Sequence, residues 1–372
     1  MPESFDIAVV GAGPSGCACA LLAARRGARV VVFDKATFPR AKPCGGCIGA
    51  TGVRLMEDLG LTDALRRATR AHTTELRLAS PRRSARLPLH GGRVVDRAVF
   101  DASLLELARA SGVEVRTGRP VDRVEQDDSG VRVSAGDECS ASVAIVARGL
   151  GRTPPGVGIT ERVSRRAYIG VGAHIRDASG AYESGVTFMH AARGGYVGVV
   201  RLDRETLDIA LAVDPARTRT LGVAGFVRDT LRRTSAPVPD RLDEAPWKGT
   251  PELTRTPRSV ASGRVLLAGD SAGYVEPFTG EGMTWAVASG ALASSVACAW
   301  LDDPAFDLAR EYARAHRQRV ARRRSGCRLV RASLRCPPLL DAAIRCASVS
   351  SMFSRLALNA FERPYRVAGA SP

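Results

Sequence analysis

The sequence predicts an α/β protein in which a parallel-sheet domain is interrupted by a β-rich insert and followed by a helical segment. Three observations carry the prediction. An apolar strand at residues 6–10 (DIAVV) runs into the glycine turn Gly11, Gly13, Gly16, and a second apolar run at 30–33 ends in Asp34. A third buried-type strand, residues 265–268 (VLLA), arrives more than two hundred residues later and ends in Gly269 and Asp270. Between them, residues 167–213 alternate β-branched and small residues with repeated glycine, the pattern of strands rather than helices.

Taken in order, residues 1–35 read as strand, turn, helix, strand. The loop FPRAKPCGGC at 38–47 leads to a helix near 50–59, and 76–89 alternate as strands. Asp96 and Arg97 precede an amphipathic helix at 98–111 with Phe100, Leu104, Leu107 and Ala108 on one face. Short strands are expected at 113–115, 121–125, 130–134 and 141–146. A helix at 221–234, a proline-rich linker at 236–257 and a small-residue helix at 280–301 follow. The tail from 304 reads as helical, basic and broken at Pro337 and Pro338. Residues 1–72, 95–155 and 257–303 are therefore assigned to one discontinuous Rossmann-like domain. Residues 73–94 and 156–256 form the inserted substrate domain, and 304–372 a C-terminal helical region.

Composition narrows the function classes. The chain has 372 residues, 45% hydrophobic and 25% charged, as ordinary globular proteins do. No apolar stretch is expected to approach the ~18 residues of a membrane helix, and no signal peptide is read at the N-terminus, so the expected location is cytoplasmic. The nine cysteines are scattered, which suits a reducing compartment. Cys44 and Cys47 form a CxxC without a second pair, so no metal site is expected. The net charge of +16 concentrates at the end: residues 305–372 hold 14 Arg against 4 Asp and Glu. Without interleaved aromatics this excludes a nucleic-acid partner. It leaves attraction to an acidic membrane surface or an acidic carrier protein.

The glycine turn carries the first chemistry. Gly11 permits the tight turn, Gly13 lets the backbone approach a pyrophosphate, and Gly16 lets helix and strand pack. The helix start then offers N–H groups and a positive dipole end to phosphate, while Asp34 can accept hydrogen bonds from a ribose. The second carrier is GRVLLAGDSAG at 263–273 followed by EPFTGEGM at 276–283. Asp270 is delivered at the C-terminal end of a buried strand, where open α/β sheets bind ligands. It suits a ribityl hydroxyl, and the helix starting near Gly282 suits the N1–O2 side of a reduced flavin.

With GAGPSG at 11–16, FPRAKPCGG at 38–46, Arg97 and LLAGDSAGYVEPFTGEGM at 266–283, the chain resembles the p-hydroxybenzoate-hydroxylase-like flavoproteins. The similar branch includes geranylgeranyl reductases and flavin-dependent halogenases. The resemblance implies FAD contacts from Ser15, Asp34, Cys44, Gly45, Arg97, Val121, Asp270, Gly282 and Met283. Pro14, Lys35, Arg40, Gly46 and Gly280, in the same motifs, complete the expected cofactor set. NAD(P)H is the expected transient reductant.

Three departures bear on the reaction. The middle motif reads Ala147, Arg148, Gly149, with Arg148 where an acidic or small residue is usual, which weakens any nicotinamide role for it. The WxWxIP segment of halogenases is missing, Trp247, Trp285 and Trp300 being isolated. So is the aromatic segment of prenyl reductases, for which GGYVGV at 194–199 is the nearest stretch. The leading expectation is a monooxygenase that hydroxylates or epoxidises a hydrophobic or aromatic natural-product intermediate, carrier-bound or free, through a flavin hydroperoxide. A reductase of an isoprenoid or quinone-type double bond, a halogenase and a non-enzymatic flavin-binding protein are the alternatives. His190, Tyr196 and Phe278 are the expected substrate contacts. His174 and His190 read equally as core or surface residues, and no catalytic acid or base is assigned. The apolar residues Leu329, Val330, Leu334, Leu339, Leu340, Ile344 and Met352 of the basic tail are expected either to dock on a membrane or to pack.

Overall fold

A computed structural model describes residues 3–275, 280–323 and 334–349. The chain enters as β1 (Glu3–Val10), α1 (Pro14–Ala24) and β2 (Val30–Asp34). Then come β3 (Cys47–Ile48), α2 (Ala50–Asp58), α3 (Thr62–Ala68), β4 (Thr69–His72), the hairpin β5 (Glu75–Ala79) and β6 (Ser84–Pro88), and β7 (Arg93–Val95). α4 (Arg97–Ala110) leads to β8 (Glu114–Thr117), β9 (Arg123–Gln126), β10 (Val131–Ser134) and β11 (Glu138–Val146). The insert holds β12 (Glu161–Val163), β13 (Ile169–Arg176), β14 (Val186–Ala192), β15 (Gly195–Arg201), β16 (Thr206–Val213), α5 (Pro215–Arg233), β17 (Lys248–Glu252) and β18 (Arg255–Pro257). β19 (Ala261–Ser262), β20 (Val265–Leu267), a 3₁₀ turn (Gly269–Ala272), α6 (Gly282–Asp302), α7 (Leu308–Arg319) and α8 (Pro337–Val349) complete the described chain.

The first sheet has the order β19-β20-β11-β1-β2-β8, and its four inner pairings, from β20 to β8, are parallel. Both faces of its central strands are covered, so β1 and β2 read as unbroken apolar runs. Ile7 and Val9 point to the layer of α1, α4 and α6, while Ala8 and Val10 point to the core under the β9–β10 hairpin. Asp96 caps α4, its side chain accepting from the N–H groups of Ala98 and Val99.

The second sheet runs β17-β13-β16-β15-β14-β5-β6. Its β5–β6 hairpin comes from residues far upstream of the other five strands, and β5 joins β14 in parallel. One face packs on α5 through Phe226, Val227 and Leu231. The other turns toward the first domain and the loop at 43–47.

Two expectations are corrected and one is met. α6 is long and apolar enough to cross a membrane by composition, with a mean hydropathy of 1.3 over its 18-residue window, so such a stretch does exist. Two-thirds of that window is buried, and Gly290 packs so tightly on α1 that an added Cβ would stand 2.1 Å from the Ser15 carbonyl. That is the setting of a core helix. Pro337 and Pro338 open α8 after the turn at 335–336 that interrupts the helical tail, as expected, since proline in a first turn forfeits no intrahelical bond. α5 starts earlier than expected, at Pro215 under the Asp214 cap, and is interrupted at Gly222, whose φ is 69°.

Candidate active site

The three glycines of the first turn do different physical work. Gly11 sits at φ +109° with a hypothetical Cβ 2.5 Å from the Ala147 carbonyl oxygen, so only glycine fits there. At Gly16 a Cβ would stand 1.8 Å from the Gly11 oxygen. Gly13 is the open one: a Cβ there would meet nothing nearer than Arg40 Nη2 at 3.7 Å. The space above Gly13 is thus a cradle that a side chain would fill. Beside it the buried Ser15 Oγ, in the first turn of α1, has no partner among the described residues.

Three cations gather round this cradle. Arg40, Lys42 and Arg148 line one cleft with Gly11, Gly13, Ser15, Asp34, Gly149 and Asp270. Burial pulls the Arg148 guanidinium below its ordinary value, with Asp34 and Asp122 opposing that. Arg40 lies 3.5 Å from Asp101 and 3.9 Å from Asp34. Asp34 accepts from the Ala12 and Ala36 N–H groups, one on each oxygen at 2.8 Å, and keeps lone pairs for a ligand. An open backbone cradle, an orphaned hydroxyl, a helix N-terminus and three cations fit the pyrophosphate of a dinucleotide. Lys42 and Arg148 lie in motifs read from the sequence but were not among the expected cofactor contacts, Arg148 because it departs from the usual residue of its motif.

The loop at 43–47 forms the other wall. Arg97 is 8% exposed and spans both oxygens of the fully buried Asp101 at 3.0 Å, with Cys44 against its guanidinium. Its charge is therefore spent on Asp101, and its place in the site is behind the loop. Gly280, at φ +76°, brings the start of α6 to within contact of Cys47. Cys44 and Cys47 are free thiols, and burial pushes the Cys47 thiol up to about 12.

Above this loop lies one face of the second sheet. Gly172, Ala210, Gly198 and Met189 pair in a row across β13, β16, β15 and β14. A Cβ on Gly172 would stand 3.3 Å from Pro43, and Ala210 faces Gly45. In the next row Asp208 pairs with His174 and Val200. Asp208 Oδ2 would be 2.9 Å from a Cβ on Gly46, so glycine is what lets the carboxyl reach the loop. Burial, then the nearby Asp96 carboxylate, push the Asp208 carboxyl up to about 8, against the pull of Arg97. The half-exposed His174 Nε2 is 3.9 Å away. Nothing local in the sequence marks Asp208, which belongs to an ordinary alternating strand.

The remaining expected residues fall as follows. Pro14 opens α1, and Lys35 is exposed just past Asp34. Gly45 is exposed and Gly46 buried in the loop. Val121 is buried in the core beneath β9 and β10. Gly282 and Met283 form the first turn of α6, with Met283 buried. Tyr196 is buried on the loop-facing side of the sheet with Met189, Ala191 and Ala212. His190 is a correction: it is 5% exposed on the opposite face, its Nδ1 is 2.9 Å from Thr234 Oγ1 of the α5 terminus, and burial lowers it to about 4. It is a neutral core residue. Phe278 lies outside the described residues. Among the described residues no cluster could hold a metal ion.

This geometry defines a protein built to hold an extended dinucleotide between a glycine-rich βαβ unit and a second sheet. The family model of an FAD binding domain matches residues 4–147. The menaquinone reductase of Mycobacterium tuberculosis is 28% identical over 326 residues, 79% of this chain and 76% of that protein. The geranylgeranyl diphosphate reductase of Rhodobacter capsulatus is 29% identical over 325 residues, 80% and 76% respectively. A flavoprotein/dehydrogenase from Cytophaga hutchinsonii shares the fold, with a TM-score of 0.79, 17% identity, and 97% and 93% of the two chains covered. Residues 4–147 thus carry an FAD binding domain, and the chain is an FAD-dependent oxidoreductase similar over about four-fifths of its length to these two reductases.

Proposed function

We propose that the protein is a flavin-dependent reductase that saturates a carbon–carbon double bond of an isoprenoid lipid. The observation that carries this reading is Asp208. Saturating an alkene takes a hydride and a proton that both end on substrate carbon, whereas in hydroxylation the protons end in the water released and the substrate carbon takes none. FAD held in the cleft would, once reduced, supply the hydride, with NAD(P)H as the proposed reductant. Asp208 keeps a proton at neutral pH because burial and Asp96 oppose its ionisation. It stores that proton against the Gly46 backbone, on the sheet face that looks at the loop. Arg97 and Cys47 are its other charged or titratable neighbours, and His174 connects it to solvent for reprotonation.

The rest of that face suits an apolar chain. Met189, Tyr196, Ala212 and the glycines between them offer no charge, and they exclude water from the reacting region. The names of the two curated reductases support the same reading. Oxygenation of an apolar substrate is the second reading, and the same closed apolar face favours it. An isoprenoid substrate is drawn from a bilayer, so peripheral membrane contact is part of the proposal. Leu334, Leu340 and Ile344 are not its docking residues, because they are buried in the core. Leu339 is 56% exposed, and Leu329, Val330 and Met352 lie outside the described residues.

The test is an anaerobic incubation of reduced, FAD-loaded protein with geranylgeranyl diphosphate, geranylgeraniol or menaquinone, read by mass spectrometry. Gain of two hydrogens is the expected result, slowed in Asp208→Asn while FAD reduction keeps its rate. Oxygen-dependent gain of an oxygen atom would establish the second reading, and halide incorporation a halogenase. Protein that takes up no FAD overturns all three.

A further inference from the structure

The C-terminal edge of the first sheet sets four residues of the cleft in a row. Leu267 of β20, Val146 of β11, Val10 of β1 and Phe33 of β2 pair in one register line across four parallel strands. Just past that line stand Asp270, Arg148, Gly11 and Asp34, in the same order, and all four line the cleft. Neighbouring strands are about 4.8 Å apart, so the row from Asp34 to Asp270 spans about 14 Å. A dinucleotide that gives its ribose to Asp34 and its ribityl chain to Asp270 crosses Gly11 and Arg148 midway. That is the stretch occupied by its pyrophosphate.

The three cations of the cleft differ in what the protein already gives them. Arg40 lies 4.8 Å over the Phe38 ring and is drawn to Asp101 at 3.5 Å and Asp34 at 3.9 Å. Lys42 belongs to the ribityl end: a Cβ on Gly149 would stand 3.0 Å from its Nζ and 3.8 Å from Asp270 Oδ2. Arg148 stands between them, half-buried, with its Cα 3.1 Å from where a Cβ on Gly11 would be. Its side chain makes no hydrogen bond or ion pair among the described residues, although Asp34 and Asp122 act on it from a distance. Five N–H donors without an acceptor, in a place partly closed to water, weaken a fold instead of stabilising it. The guanidinium is therefore placed for a ligand and not for its neighbours.

We propose that Arg148, the residue that departs from the usual middle motif, is this chain's own clamp on the FAD pyrophosphate, gripping it from the β11 flank of the glycine turn. A guanidinium pairs bidentately with phosphate oxygens, which the point charge of Lys42 cannot do, and Arg40 is already shared between two carboxylates. The first-turn N–H groups of α1 and the Ser15 hydroxyl complete the grip from the other side of the turn. The inference goes beyond the reductase reading: it concerns how FAD is retained, and it holds equally for an oxygenating enzyme. It also has a signature that a structural arginine lacks, since removing the guanidinium loosens the cofactor without loosening the fold.

The test is FAD release from the loaded protein, followed by flavin fluorescence, in the parent, Arg148→Met and Arg148→Lys. Arg148→Met is expected to weaken FAD binding roughly ten-fold or more, and Arg148→Lys to recover part of the loss. The deflavinated full-length Arg148→Met chain should melt at or above the temperature of the deflavinated parent. Competition with ADP and with adenosine then locates the contact. ADP should lose affinity in Arg148→Met as FAD does, while adenosine, which has no phosphate, should bind parent and variant alike. Unchanged FAD affinity in Arg148→Met, or an equal loss for ADP and adenosine, would overturn the proposal. So would a lower melting temperature of the deflavinated variant, or its failure to fold, because the arginine would then be holding the protein. None of these readouts involves a substrate, so they succeed or fail independently of the double-bond assay.

Discussion

The Asp208 carboxyl packs on the Cα of Gly46, a contact between a strand of the inserted sheet and the loop at the cofactor cleft. It brings residues 162 positions apart to one place and leaves a buried acid at the boundary between the two domains.

That acid gives stability a pH dependence of known sign. Its folded value of about 8 lies above the ~3.9 of an unfolded chain, so the folded state holds the extra proton between those limits. The stability it contributes is complete below about pH 4 and is lost as pH rises through about 8. Asp208→Asn carries no such proton. Relative to that variant, the parent should lose up to about 1.4 kcal/mol per pH unit across this window, measured by urea denaturation. A pH-independent difference between the two would show that Asp208 is ionised in the fold.

Gly13 and Gly16 should separate cofactor binding from folding. Gly16→Ala places a Cβ 1.8 Å from a backbone oxygen, and an unfolding loss of about 3 kcal/mol is expected. Gly13→Ala meets only the end of Arg40, so the apoprotein should melt near the parent temperature while FAD retention on a desalting column falls sharply. Comparable melting losses in the two variants would contradict the division of labour.

The Arg97–Asp101 pair is nearly sealed from water. Asp101→Ala leaves the buried Arg97 without its carboxylate and Arg40 with Asp34 alone, and a loss of about 3–5 kcal/mol is expected. The Arg97→Met/Asp101→Leu double variant should recover much of it. An additive double variant, measured in the same denaturation series, would mean the pair is not coupled.

Met189 and His190 are consecutive and face opposite sides of β14. Met189→Phe overfills the packed face that meets the loop at 43–47 and should raise KM for the isoprenoid substrate while costing about 1–3 kcal/mol of stability. His190→Ala should lower stability by about 2 kcal/mol and leave KM alone. The opposite pattern in a steady-state assay would reverse the assignment of the two faces.

Much of the cofactor cleft was legible in the chain because its signals are local. Gly11, Gly13 and Gly16 follow from the geometry of one turn, and Asp34 from the end of the strand that follows it. The discontinuity was legible too, since an unbroken apolar strand ending in Asp270 needs a parallel neighbour, and β11 is that neighbour. α6 reads as a helix, but its hydropathy is spread over small alanines interrupted by serine, threonine and glycine, so no unbroken apolar run marks its length.

The sequence by itself determined the α/β class, the glycine cradle and the acid at the end of β20, each set by neighbouring φ/ψ preferences and side-chain periodicity. Tertiary structure decided which face of β14 looks at the cofactor, and so exchanged His190 for Met189. It also decided that Asp208 meets Gly46 and that Arg148 joins Arg40 and Lys42. Alternation tells that a strand has two faces, but only the packing of distant elements chooses what each face meets.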